Sequence, residues 1–336
     1  IATGSASVVH RHKLAESGVG RWLRVAIPTL SFFEFLHIRN EVLPPIPDSL
    51  RPNDLFTMQP RDLRELATHF GALMPLFLRY LLVGGFPETA GQSDISLCQR
   101  LLREDVVERV LKRDMTSLFG IRNVNDLEKL FIYICIHSGD IFAVQTAASA
   151  LGISHTTVSN HLEMLEQANL ISRLLPAAIG GKKILKARYK IYLVDAALRN
   201  AVLLRGEEIL NQPTEMGTIV ETTILRQLYA YHYQDNPTIA YWRDAATEKE
   251  VDIIVKSPSY ILPVEVKYRE TADLNIKEGI VSYCEQENIS KAYWITKSPD
   301  DFGVVEFAGI SCKFLRVPAH IFTYLLGQAE RLLWAN

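Results

Sequence analysis

Asp252, Glu265 and Lys267 are the residues of this chain whose types and spacing carry chemistry. They lie in two apolar, β-branched segments, 250–255 and 261–267, separated by Lys256-Ser257-Pro258-Ser259-Tyr260, which predicts two strands joined by a short turn. A hairpin centred near Pro258 places Asp252 across from about Val264 and diagonal to Glu265. Side chains two apart share a strand face, so Leu262, Val264 and Val266 are expected in a core, with Glu265 and Lys267 projecting into a wet notch on the other face. Two carboxylates and the oxygens of a substrate phosphate suffice for Mg2+ or Mn2+, and Asp252 and Glu265 are the candidate metal ligands. The metal would lower the pKa of a bound water, and Lys267 would offset charge on the phosphorus, making phosphodiester hydrolysis the implied reaction. Segment 217–228 has apolar residues at helical spacing and brings Glu221 to the same pocket as a third acid. The plainer alternative is that Glu-Val-Lys merely solvates a sheet. A notch filled by the protein's own side chains would leave only a fold relationship.

The elements that must position this group read as a helix over 217–233, strands over 239–243, 250–255 and 261–267, a helix over 273–287, a strand over 291–296 and a closing helix over 320–334. Upstream, helices over 127–137, 143–151 and 154–168 with a Gly152-Ile153 turn have helix-turn-helix spacing. Strands over 170–175 and 184–193 then flank Gly180-Gly181-Lys182-Lys183, so the unit resembles a winged helix. Thr156, Ser159 and Asn160 give its third helix a polar side for phosphates or base edges, and Lys182, Lys183, Lys186 and Arg188 would crowd the wing, which makes DNA the expected partner. Glu163 and Glu166 on the same helix oppose that reading, and such units also serve as packing modules. His137, His155 and His161 have no acid or second histidine at ligand spacing and are expected in ordinary core or surface roles. Trp242-Arg243 leads toward the acids and would either meet a base or pack at the sheet edge.

The order from 217 to 296 resembles the PD-(D/E)XK restriction-endonuclease-like core, with Asp252, Glu265 and Lys267 on its motif. The whole chain resembles bacterial and archaeal AAA-type ATPases that carry a C-terminal domain of this kind. The resemblance rests on Gly20-Arg21, Pro28-Thr29-Leu30-Ser31-Phe32-Phe33-Glu34-Phe35-Leu36, Leu82-Val83-Gly84-Gly85-Phe86-Pro87-Glu88, Lys190-Ile191-Tyr192-Leu193-Val194-Asp195 and Tyr241-Trp242-Arg243, in that order. It implies ATP as a cofactor of the full-length protein. The phosphate-binding glycine loop of those ATPases is not in this sequence, since Gly180-Gly181-Lys182-Lys183 lacks the hydroxyl residue and the strand-to-helix setting. With Ile1 in the first position, the chain is expected to be a piece of a longer protein. The fold class is therefore α/β multidomain: an ATPase-domain remnant over 1–43 ending at Pro44-Pro45-Ile46-Pro47, a helical section over 44–122, the winged helix-turn-helix over 123–200 and the nuclease-like core over 210–336.

At 336 residues, 48% hydrophobic and 22% charged, the chain can bury a large core. A formal charge of -2 argues against global adhesion to nucleic acid and leaves DNA contact to local clusters. Cys98, Cys135, Cys284 and Cys312 are widely spaced, which disfavours zinc sites and disulfides. No apolar run is read as long enough for a membrane span, so the cytoplasm and no membrane partner are expected, and a homo-oligomer is compatible with the chain. The rival functions are a non-catalytic DNA- or protein-binding module of an AAA-type ATPase, in which the acids only knit the sheet, and a toxin-like or transporter-associated regulator acting through protein contacts.

Overall fold

The computed structural model describes residues 27–121, 123–177 and 188–333. The earlier residues, with Ile1 and Gly20-Arg21, lie outside the described residues, as do the wing candidates Lys182, Lys183 and Lys186. The architecture is mixed α/β, built on one nine-stranded sheet in the order β1-β3-β2-β4-β5-β6-β7-β9-β8. The strands are β1 (Ile141–Phe142), β2 (Ile171–Pro176), β3 (Tyr189–Leu193), β4 (Thr238–Arg243), β5 (Glu250–Lys256), β6 (Ile261–Lys267), β7 (Lys291–Thr296), β8 (Gly303–Val305) and β9 (Lys313–Pro318). The principal helices are α1 (Phe32–Ile38), α2 (Pro60–Phe70), α3 (Met74–Val83), α4 (Val124–Ile136), α5 (Val144–Leu151), α6 (His155–Gln167), α7 (Ala196–Val202), α8 (Pro213–Tyr231), α9 (Gly279–Gln286) and α10 (Ala319–Leu333).

The sheet does not stop at the boundary expected near residues 200–210. β2 pairs parallel with β4 through Leu175 opposite Ala240 and Pro176 opposite Tyr241, which joins the β1-β3-β2 ladder to the strands downstream. Alternation along the central strands then feeds two cores. Val264, Val266, Tyr293, Ile295, Leu315 and Val317 face α1, α3, α8 and α10, while Trp294, Ala292 and Phe314 face α9 on the other side. A third core lies among α4, α5, α6, α7 and the faces of β2 and β3.

Segment 28–36 is part of the first core. Ser31 caps α1 in a reciprocal capping box with Glu34, and Phe32, Phe33, Phe35 and Leu36 are buried against α10 and α3. A Cβ on Gly327 of α10 would stand 2.8 Å from the Cβ atoms of both Phe33 and Ser31, so glycine sets how closely the two helices cross. Three of the strings that carry the family resemblance also meet: the Asp195 carboxylate accepts from the Gly85 N–H at 2.9 Å, and the Leu30 N–H donates to the Gly85 carbonyl at 2.6 Å. A Cβ on Gly85 would stand 2.3 Å from the Leu30 carbonyl oxygen, so a side chain has no room there.

Across residues 60–83, α2 runs on into α3 through a 3-10 turn at Gly71–Leu73, and Gly71 keeps a right-handed φ of -56°. The resulting run Pro60–Val83, of 24 residues, is the one among the described residues long and apolar enough to cross a membrane. Here its apolar side, including Leu63, Leu66, Phe70, Phe77 and Leu81, is laid into the first core.

Candidate functional site

The β5–β6 hairpin is antiparallel and pairs Ile253 with Val264 and Lys256 with Ile261. That register is one residue from the one centred on Pro258, because Ser257 closes the turn by donating to the Tyr260 carbonyl at 2.9 Å and leaves Pro258-Ser259 as the loop. Continued, it sets Asp252 directly across from Glu265 instead of diagonal to it. There the side chains take over the pairing: the Asp252 N–H donates to Glu265 Oε2 at 3.2 Å, and the Val266 N–H donates to Asp252 Oδ2 at 2.9 Å. Each acid is thus fixed by the neighbouring strand's backbone.

The alternation of β6 follows expectation, with Val264 and Val266 in the core and Leu262 packed on it. The opposite face is not the wet notch expected. Glu265 is only 4% exposed, and Lys267 folds back onto its carboxylate and over the Trp294 ring at 5.7 Å. Charge on this face is therefore held by partners inside the fold and not by water.

Glu221, on α8, is drawn to the same cluster through a residue that the hairpin does not contain. Lys190, on β3, is 4% exposed and places its Nζ in contact with Glu250, 3.5 Å from Glu221 Oε1 and 3.6 Å from Asp252 Oδ1. Its strand is fixed by pairing with β1 at Ile141 and with β2 at Leu174, and its ammonium lies 5.8 Å from the Tyr241 ring centroid. Tyr192, two residues along the same face, donates its hydroxyl to Glu221. The far side is closed by α9: a Cβ on its first residue, Gly279, would stand 2.3 Å from the Glu250 carbonyl oxygen, so glycine lets this helix rest on the start of β5.

Glu250 and Lys190 belong to the cluster but escape a reading of the E-x-K motif alone. Glu250 carried a signal, since it is two residues before Asp252 and shares its face. Lys190 offered only a weak one, a charged residue alternating with apolar ones in Lys190-Ile191-Tyr192-Leu193.

Four carboxylates, Glu221, Glu250, Asp252 and Glu265, face two ammonium groups, Lys190 and Lys267, and this leaves a formal charge of -2. Arg243 reaches Glu250 at 4.0 Å from the rim, where it also pairs with Glu248. The surplus shows in the acids. Burial, reinforced by Asp252, pushes the Glu265 carboxyl up to about 8 against the pull of Lys267. Burial and Asp252 likewise push Glu221 up to about 7 against Lys190. Burial works against the charge on both lysines, yet the surrounding acids outweigh it. Lys267 is held above its usual range by Glu265 and Asp252, and Lys190 well above it by Glu221, Tyr192, Asp252 and Glu250.

No group of three or more His, Cys, Asp and Glu side chains among the described residues is arranged to hold a metal ion. The candidate ligand set is the pair Asp252 and Glu265. Its donors are hard oxygens, fixed on adjacent strands within a surplus of negative charge, and this suits Mg2+ or Mn2+ over softer metals.

In the other half, Thr156 and Asn160 are exposed on α6 and Ser159 is half-buried, with Ser154 capping the helix. A left-handed Gly152 with φ 66° turns α5 into α6. Arg188 is exposed, and its carbonyl accepts from the Tyr241 hydroxyl at 3.0 Å. Glu166, expected to repel phosphate, is engaged by Arg173. His161 is buried among the α6 core residues, His155 is exposed, and His137 pairs with Asp140 at 3.2 Å. Trp242 is buried against Tyr283 and faces the α9 core, which excludes it from base contact.

Residues 74–208 match a family described as a domain of unknown function (DUF8612), and residues 216–315 match a second domain of unknown function (DUF4143). The acids and Lys267 lie within the second match, and Lys190 lies within the first. The chain is 24% identical over 273 residues to an uncharacterised protein of Haemophilus influenzae, covering 80% of this chain and 58% of the relative. It is 24% identical over 287 residues to an uncharacterised protein of Methanocaldococcus jannaschii, covering 84% and 57%. It is 26% identical over 203 residues to an uncharacterised protein of Mycobacterium tuberculosis, covering 59% and 44%. The chain spans about half the length of the curated relatives it matches. No solved structure matches it.

Proposed function

We propose that the chain is part of a cytoplasmic, DNA-directed ATPase-family protein whose C-terminal half is a PD-(D/E)XK nuclease-like domain that hydrolyses phosphodiesters with Mg2+ or Mn2+. The observation that carries this reading is the mutual bracing of Asp252 and Glu265, each accepting an N–H from the other's strand, with Lys267 on Glu265. Asp252 and Glu265 would hold the cation. When bound, it would supply a water of lowered pKa and polarise the phosphoryl oxygens. Lys267, about a quarter exposed, would offset charge developing on the phosphate, and Glu221, its carboxyl pushed up to about 7, would accept a proton at neutral pH.

The polar face of α6, with Thr156, Ser159 and Asn160, together with Arg188, supports a winged-helix role in docking duplex DNA, and the neutralisation of Glu166 by Arg173 removes one objection. ATP hydrolysis belongs, in this reading, to a part of the longer protein outside this sequence, in keeping with the lengths of the relatives. The test is incubation of plasmid, linear duplex and single-stranded DNA, and of RNA, with Mg2+ and Mn2+. Cleavage that is lost in Asp252→Ala and Lys267→Ala supports the reading. No cleavage of any substrate, or cleavage that survives Asp252→Ala, overturns it.

A second reading is favoured by a specific observation: Lys190 fills the space between the acids, so the cluster as placed is closed by the protein itself. In that reading the domain is a non-catalytic DNA- or protein-binding module of the ATPase. Divalent metal then leaves its thermal stability unchanged.

A further inference from the structure

Lys190 stands apart from the rest of the cluster. The other five charged groups are on α8 or the β5–β6 hairpin, all within residues 216–315, whereas Lys190 comes from β3, within residues 74–208. It reaches them only because β2 pairs with β4 and carries β3 along. Its Nζ sits among three carboxylates from two elements: it touches Glu250, lies 3.5 Å from Glu221 and lies 3.6 Å from Asp252. Asp252 Oδ2 is already committed to the Val266 N–H, so Oδ1, the oxygen left for a cation, is the one that faces the Lys190 ammonium at 3.6 Å.

We propose that Lys190 is a built-in counter-ion that holds the cation place closed, so that metal enters only as the β3 lysine withdraws and the β3-bearing half of the molecule governs access to the acids. This rests on the reading of Asp252 and Glu265 as metal ligands. It also goes beyond that reading, because it makes the site composite: the hairpin half supplies the ligands and the β3 half supplies their competitor. Two roles are open to a buried lysine among acids, and they predict opposite signs. A lysine that positions the ligands strengthens metal binding, so its loss weakens binding. A lysine that competes with the metal weakens binding, so its loss strengthens it. The formal surplus of -2 favours competition, because one ammonium in this place satisfies less of the charge than a divalent ion would.

The experiment is Mn2+ binding to the full chain, measured by the loss of the free-ion electron paramagnetic resonance signal, for the native protein, Lys190→Gln and Lys190→Arg. Competition predicts at least tenfold tighter binding in Lys190→Gln and near-native binding in Lys190→Arg, which keeps the charge. Unchanged or weaker binding in Lys190→Gln overturns the proposal while leaving the metal site standing. No binding by the native protein or by Lys190→Gln at millimolar Mn2+ removes the metal site, and this proposal with it. Should Lys190→Gln not fold, amide exchange of β3 in the native protein decides: faster exchange at Ile191 and Tyr192 on Mn2+ saturation supports withdrawal, and unchanged or slower exchange overturns it.

Discussion

The hairpin half and the half that carries α5 and α6 handle polar residues in opposite ways. Around β5 and β6 the charged groups are inside the fold, each engaged by a partner, and several are shifted by burial. On α6 the candidate contact residues Thr156 and Asn160 are exposed. Buried charge is costly unless paired, so a cluster with more acid than base stores unfavourable interaction that a bound cation can relieve. An exposed polar helix face stores none. The first region should therefore report its ligand through stability and pH, and the second only through binding.

The largest effect sharpening this contrast is expected from Lys190→Met. It leaves Glu221, Glu250 and Asp252 without their shared ammonium, and it should cost about 3–5 kcal/mol in urea unfolding near pH 8, as when one partner of a buried charge set is removed. Mn2+ should restore part of that loss. A loss below about 1 kcal/mol would place Lys190 outside the energetic cluster.

Next is the pH dependence of the native protein. Glu221 and Glu265 have folded pKa values raised to about 7 and about 8, so both bind protons more tightly in the folded state than when unfolded. Their contribution to stability is fully present below the usual glutamate range and is lost as pH rises through those values. The urea midpoint should fall between pH 5 and 9, and Asp252→Asn, which removes the second-largest cause of both shifts, should flatten the slope. A midpoint that rises with pH over this range contradicts the assignment.

Gly279→Ala comes third. A Cβ there meets the Glu250 carbonyl oxygen, a backbone atom, at 2.3 Å, and pushing α9 off β5 should cost about 1–3 kcal/mol in thermal or chemical unfolding. The smallest effect on stability belongs to the other region: Thr156→Ala and Asn160→Ala should stay within about 0.5 kcal/mol of native. They should nonetheless weaken duplex DNA binding, in a salt titration in which affinity falls as salt rises. Affinity unchanged by both substitutions would remove α6 as a DNA contact.

What could be read from the string follows the same division. Alternation in 250–255 and 261–267 is enough to draw the hairpin and to place Val264 and Val266 opposite Glu265, because a strand's faces follow from local sequence. The register is harder. It turns on whether Ser257 or its neighbour closes the turn, and one residue decides whether two acids oppose or pass each other. Lys190 lies beyond such reading altogether: it joins the acids through the β2–β4 pairing, a parallel contact between segments more than sixty residues apart whose partner no local pattern specifies.

Equilibrium binding of Mn2+ to the full chain, compared with Asp252→Asn and Glu265→Gln, tests the central claim most directly. The account predicts one ion per native chain, with affinity reduced at least tenfold in either variant and a rise in native melting temperature on loading. Binding that both variants retain at native affinity, or a native chain that takes up no ion at millimolar concentration, would contradict it.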